Sequence, residues 1–218
     1  MLTDVAVLAG CAGMVAAGIW MVVRWGDDRA ELRLAFPRYL VALGVMAAGS
    51  GLLAAGAAGR LVMGLLAVTS QDAHGLITEA GATIGEITLG GTLTFFGFAG
   101  LGAGVLMTAL FILAGSLLPR GRTGGALLGL GAFIIVGPRG EPIRNDNFDF
   151  DLVGPDLLSL ACFTALAAFQ GMLTVALAGH LGVRPLPIPR VPGRVVAGAV
   201  TLVALPGFLA AAGDILGG

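Results

Sequence analysis

The residues able to do chemistry are few and widely spaced. His74 and His180 are the only histidines, and Cys11 and Cys162 the only cysteines. A structural zinc site gathers about four Cys or His ligands, and a reactive thiol pair sits near the surface, commonly as CxxC. Neither pattern is present. The densest knot of oxygen donors is NDNFDFD, Asn145–Asp151. Written as a strand, Asn145, Asn147, Asp149 and Asp151 share one face; Asp146, Phe148 and Phe150 share the other. The first face is a candidate Ca²⁺ ligand set, because that ion takes roughly six to eight oxygens. The EF-hand arrangement is missing, with no turn Gly among the acids and no closing Glu. The competing reading is a solvated acidic loop held by its two Phe.

The elements that must position these residues are apolar. Hydrophobic residues make up 57% of the 218, charged residues 11%, and mean hydropathy is +0.96. A soluble domain carries about 25% charged residues, and several runs exceed the roughly 18 apolar residues that mark a membrane span. The expected fold is therefore all-α: a single integral membrane domain over 1–218 with about six transmembrane helices. These are Leu2–Val23, Tyr39–Val68, Gly91–Leu118, Gly124–Gly137, Pro155–His180 and Arg194–Gly213. The fourth gives only roughly 21 Å of helix, so it must thin the bilayer or begin earlier. Pro206 predicts a kink in the last.

Arginine placement sets the expected orientation. All twelve basic residues are Arg. Nine fall in connections on one side (24, 29, 33, 38, 120, 122, 184, 190, 194), against Arg60, Arg139 and Arg144 on the other. The first side is read as cytoplasmic, in a bacterial plasma membrane, with both termini outside. Ten of the thirteen acids then lie on the outer side, at 4, 72, 79, 86, 141, 146, 149, 151, 156 and 214. His74 and His180 end up on opposite sides, which rules out one haem clamped by both.

Two outer loops follow, about 69–90 and 138–154. In the first, GLITEAGATIGEITLGG predicts a short extracytoplasmic β-hairpin turning at Gly81. Ile87 and Leu89 would take one face, Glu86 and Thr88 the other. Arg60 falls near the outer headgroups, where it would snorkel or pair with Glu86 or Asp149. Gln170 is the most polar mid-span residue; its amide would bridge helices or line a small-molecule site. Ala9, Gly13 and Ala17, and Gly125 and Gly129, repeat at the small-xxx-small spacing that lets helices approach closely.

IGEITLGGTL, NFDFDLVGP and LPGF (Leu205–Phe208) resemble a family of multi-pass membrane proteins of GC-rich Gram-positive bacteria. The resemblance covers roughly residues 55–213. It implies a multi-pass membrane fold and carries over no catalytic residue.

These features point to a non-enzymatic membrane subunit or scaffold that presents an acidic extracytoplasmic surface to a partner. A small-molecule or lipid transporter or channel is the first alternative. The spans carry no Asp, Glu or His at mid-depth, where ion-coupled transporters place them. A lipid-acting membrane enzyme is the second, with no nucleophile–base pair in its support. The expected partners are membrane lipid and a protein or a second copy docked through small-residue helix faces. A net charge of −1 does not suggest nucleic acid, and no cofactor is indicated.

Overall fold

The computed structural model describes residues 2–27, 34–78, 81, 83–139, 156–187, 205–210 and 212–213. Among these the architecture is all-helical. Helix α1 spans Leu2–Trp25, with Asp4 in its first turn and Arg24 in its last. That placement complements the helix dipole. Pro37 sits in the first turn of α2, Phe36–Ser50, after an extended Ala35. A first-turn Pro loses no hydrogen bond because its N–H would have had no partner.

From α2 the chain continues without a break through a π-helical stretch, Gly51–Ala58, into α3, Gly59–Thr69. The next segment has the same plan: α4, Leu89–Phe95, a π-helical Phe96–Gly100, then α5, Leu101–Ala114. The two π-helical stretches face each other. Side chains added at Gly51 or Gly104 would strike backbone carbonyls, of Gly100 and Ala47 respectively. Backbones that approach this closely leave room only for hydrogen at Cα.

Helix α6, Gly121–Val136, starts three residues before the apolar run. Its entry is the turn at Gly121, which has φ +76°. At 16 residues it is shorter than the four long apolar segments, roughly 24 Å long. Helix α7, Asp156–Leu181, makes the most extensive pairing of the fold with α6. Gly125 and Gly129 lie against Gly171 and the carbonyl of Ala167.

Four helical segments are long and apolar enough to cross a membrane: Asp4–Trp25, Phe36–Thr69, Leu89–Leu117 and Leu157–Leu181. The sixth expected span is described only at 205–210 and 212–213, which are helical. There Phe208 meets Phe133 of α6 edge-on, ring centroids 5.8 Å apart.

The expected hairpin is not shown. No strand forms among the described residues; a single antiparallel bridge joins Ile77 to Thr83 around Gly81. Residues 86–89 do not alternate as a strand. Thr88 instead caps α4, its Oγ1 accepting from Gly91 N at 3.1 Å. The β-branched run reads like a strand, but the cap satisfies a helix-end N–H that a strand there would leave to water.

The interior mixes large apolar side chains, Met46, Leu173 and Phe111 among them, with many small residues. Fully buried positions include Ala54, Ala57, Ala176, Ser50 and Thr174. The outer faces carry Phe98 at 83% exposure, Phe36 at 74% and Leu157 at 68%.

Candidate functional site

The two ends of the bundle are chemically different. At one end Trp25 stacks on His180, ring centroids 3.9 Å apart and nearly parallel. Arg122 donates to the carbonyl of Val23 at 2.7 Å and pairs with Asp27 at 3.4 Å. Tyr39 donates to the carbonyl of Arg184, tying the 182–187 turn to the start of α2. Exposed Arg24, Arg38, Arg120, Arg122 and Arg184 belong to this end. It gathers the described residues of the set read as cytoplasmic.

The opposite end is built around Arg60. The continuous segment Phe36–Thr69 carries it into the first turn of the facing helix, where it is half-buried. Its Nε donates to Thr92 Oγ1 at 3.2 Å. The Thr92 hydroxyl donates to the carbonyl of Thr88 at 2.8 Å, so its proton is committed and its lone pairs face the guanidinium. The carbon of the guanidinium lies 5.8 Å from the Phe95 ring centre. Cys11, buried in α1, is within electrostatic reach. A Cβ at Gly91 would lie 3.9 Å from Nη2, and one at Gly90 would meet nothing within 4 Å. Nη2 therefore lies beside the bare Cα of Gly91.

Of the two acids proposed for Arg60, Glu86 is exposed and makes no ion pair with it among the described residues. The hydroxyl of Thr92 takes that place. Asp149 lies outside the described residues, as do Asn145, Asn147 and Asp151, the rest of the candidate Ca²⁺ set. Among the described residues no three His, Cys, Asp or Glu gather as metal ligands. His74 is exposed, bonds the carbonyl of Ala67 at 3.1 Å and packs on Gly85, pinning the 70–85 turn to α3. Cys11 and Cys162 are free thiols.

Gln170 is buried at 6% exposure, and its Nε2 has no hydrogen-bond partner. Ser50 Oγ and Thr108 Oγ1 are likewise buried and unpartnered. The expected bridging amide is therefore not observed on its nitrogen side. Sequence reasoning missed Thr92 and Phe95, although a signal existed. Thr88 followed by Leu-Gly-Gly and an apolar run is a helix-start pattern, and starting the helix there puts Thr92 and Phe95 on its first turns.

Comparison with protein-family models, with curated proteins and with solved structures finds no match.

Proposed function

We propose that the chain is a multi-pass integral protein of a bacterial plasma membrane that acts as a non-catalytic subunit or scaffold. Its acidic outer surface and small-residue helix faces engage a partner chain or a second copy. The observation that supports the reading best is the large apolar side chains on the outer faces, Phe98 and Phe36 among them, of helical segments long and apolar enough to cross a membrane. In water the exposed faces would form apolar patches far beyond those of a stable monomer. Against lipid they cost nothing, and the close glycine contacts at Gly51, Gly104, Gly125 and Gly129 are of the kind by which membrane helices pack.

Single-cysteine labelling in intact cells tests the membrane arrangement, with Cys11 and Cys162 replaced. Asp72→Cys and Asn147→Cys should react with an impermeant maleimide from outside, and Arg120→Cys only after lysis. Labelling of position 120 from outside would overturn the six-span orientation. The subunit reading is tested by native mass spectrometry of the chain extracted in mild detergent. A stoichiometric second component, lost in the Asp149→Asn/Asp151→Asn variant, is the expected result. A bare monomer from both proteins would overturn it.

The unpartnered polar atoms of Ser50, Thr108 and Gln170 favour a second reading, a path for a small polar solute. Burying such a group without a partner costs about 1–3 kcal/mol, which water or a solute would recover. Proteoliposomes carrying the wild type would then shrink and reswell faster in glycerol than those carrying Gln170→Leu. Equal rates in both would remove this reading.

A further inference from the structure

We propose that Arg60 is the recognition centre of a phosphate-binding site at its end of the bundle. The site takes the phosphate of an anionic phospholipid headgroup or a soluble phosphate. The lipid source rests on the membrane reading above.

Three observations support the assignment. First, a half-buried guanidinium on a long apolar helical segment calls for a polar or anionic partner. Arg60 is the one basic residue within the long apolar segments that lies away from a segment end. Second, its charge has no counter-ion among the described residues. The protein offers it a neutral hydroxyl at Thr92 and the face of Phe95. Those contacts hold the group through Nε and leave the Nη atoms without a hydrogen-bond acceptor among the described residues. Two parallel N–H groups with no acceptor form the fork that binds phosphate in a bidentate manner. Third, Nη2 lies beside Gly91, where a Cβ would stand 3.9 Å from it and where the glycine has no side chain to crowd an incoming group. The position also fits the ligand. Thr92 is in the first turn of the Leu89–Leu117 helix, so Arg60 lies roughly 5 Å below the start of that helix, at the depth of lipid phosphates rather than of acyl chains.

The test uses the purified full-length chain in a neutral detergent, followed by thermal unfolding and native mass spectrometry. Phosphatidylglycerol in mixed micelles should raise the unfolding temperature by several degrees, because a ligand that binds only the folded state stabilises it. Phosphatidylcholine at the same mole fraction should bind at least tenfold more weakly, and phosphatidylglycerol should survive as a retained adduct. Arg60→Gln should abolish both effects; Arg120→Gln, at the opposite end, should keep them. Should Arg60→Gln fail to fold, Arg60→Lys keeps the charge but lacks the fork, and should weaken retention by about tenfold.

Sodium phosphate against sodium chloride at equal ionic strength separates the sources. A shift with both phosphate and lipid assigns a soluble anion site that lipid can also enter; a shift with lipid alone assigns the headgroup. A lipid effect that survives Arg60→Gln in full would overturn the proposal and move the lipid to the other end. So would the absence of any response in the wild type together with its appearance in Asp149→Asn/Asp151→Asn, which would show that the chain's own acids fill the fork. No response in any of these proteins overturns it as well. Failure of the cysteine labelling alone would leave the soluble-phosphate arm standing.

Discussion

The α6–α7 seam and helix α1 both carry small residues at a four-residue spacing, and the fold uses them in opposite ways. On α6, Gly125 and Gly129 meet backbone: Gly171, Met172 and the carbonyl of Ala167. On α1, Cβ atoms at Gly10 and Gly13 would meet nothing within 4 Å, and Ala9 and Ala17 are exposed. The same spacing thus describes a closed seam and an open face. What decides between them is whether a second small residue stands opposite. Gly171 supplies it for α6, and nothing among the described residues supplies it for that side of α1. The other side of α1 is closed, since Gly18 faces Phe169, Leu173 and Leu53.

Breaking the closed seam should have the largest effect. In Gly129→Leu the new Cβ would collide with the Ala167 carbonyl, and backbone cannot step aside as a side-chain tip can. We expect a loss of roughly 3 kcal/mol or more, at the upper end of overpacking costs, or no folded protein at all. Thermal unfolding in detergent measures it. A Gly129→Leu protein as stable as the wild type would show that α6 and α7 are not in backbone contact.

This contrast also shows what could be read from sequence. Hydropathy located the first five helical segments to within a few residues, because burial imposes long apolar runs whatever their partners. The ladder Gly125/Gly129 was legible as well. Its partner, Ala167 and Gly171 at the same spacing on α7, was not picked out, because in so Ala-rich a helix many such pairs occur and spacing does not say which one faces α6. The π-helical stretches were invisible for a related reason. GLLAAGAA has the composition of an ordinary α-helix, and the wider turns depend on contact with Gly100 and Gly104 across the interface. Arg60 was correctly placed near one end, yet its partner was sought among acids. A threonine hydroxyl carries no charge signal, so Thr92 could be found only once α4 was known to begin at Leu89.

Gly18→Ala tests the closed side of α1 at a gentler level. The added methyl would lie 2.9 Å from Phe169 Cζ, the tip of a side chain that can rotate. Repacking should cost about 1 kcal/mol, and Ala in place of Gly regains roughly 0.8–1 kcal/mol of helix propensity. The two nearly cancel, and the unfolding temperature should move by only a degree or two. A drop as large as that of Gly129→Leu would mean that Phe169 is locked and that this side is packed as tightly as the seam.

On the open side, Gly13→Leu should leave the monomer's stability within about 0.5 kcal/mol of wild type, since nothing is displaced. Its effect belongs to association. If a second copy or a partner docks on this face, chemical cross-linking in membranes should fall while the unfolding temperature of the isolated chain holds. Cross-linking unchanged by Gly13→Leu would show the face to be in contact with lipid alone.

The smallest effect concerns the contact between the start of α6 and the end of α1. Arg122 makes two contacts there, with the Val23 carbonyl at 2.7 Å and with Asp27 at 3.4 Å. The Asp27 side chain is 75% exposed, and an exposed pair is worth about 0–1 kcal/mol, less as salt is added. Asp27→Asn should therefore be nearly silent. Arg122→Gln removes more: a cation near the carbonyl end of α1, worth about 0.3–1 kcal/mol, together with a charge-assisted bond to an otherwise unfilled acceptor. The expected order is Arg122→Gln more destabilising than Asp27→Asn, with the difference between them persisting in 1 M salt, where a direct carbonyl bond survives and an ion pair does not. The reverse order, or a difference that vanishes with salt, would mean that Asp27 rather than the helix end holds Arg122 and that the closed seam reaches α1 through a charge alone.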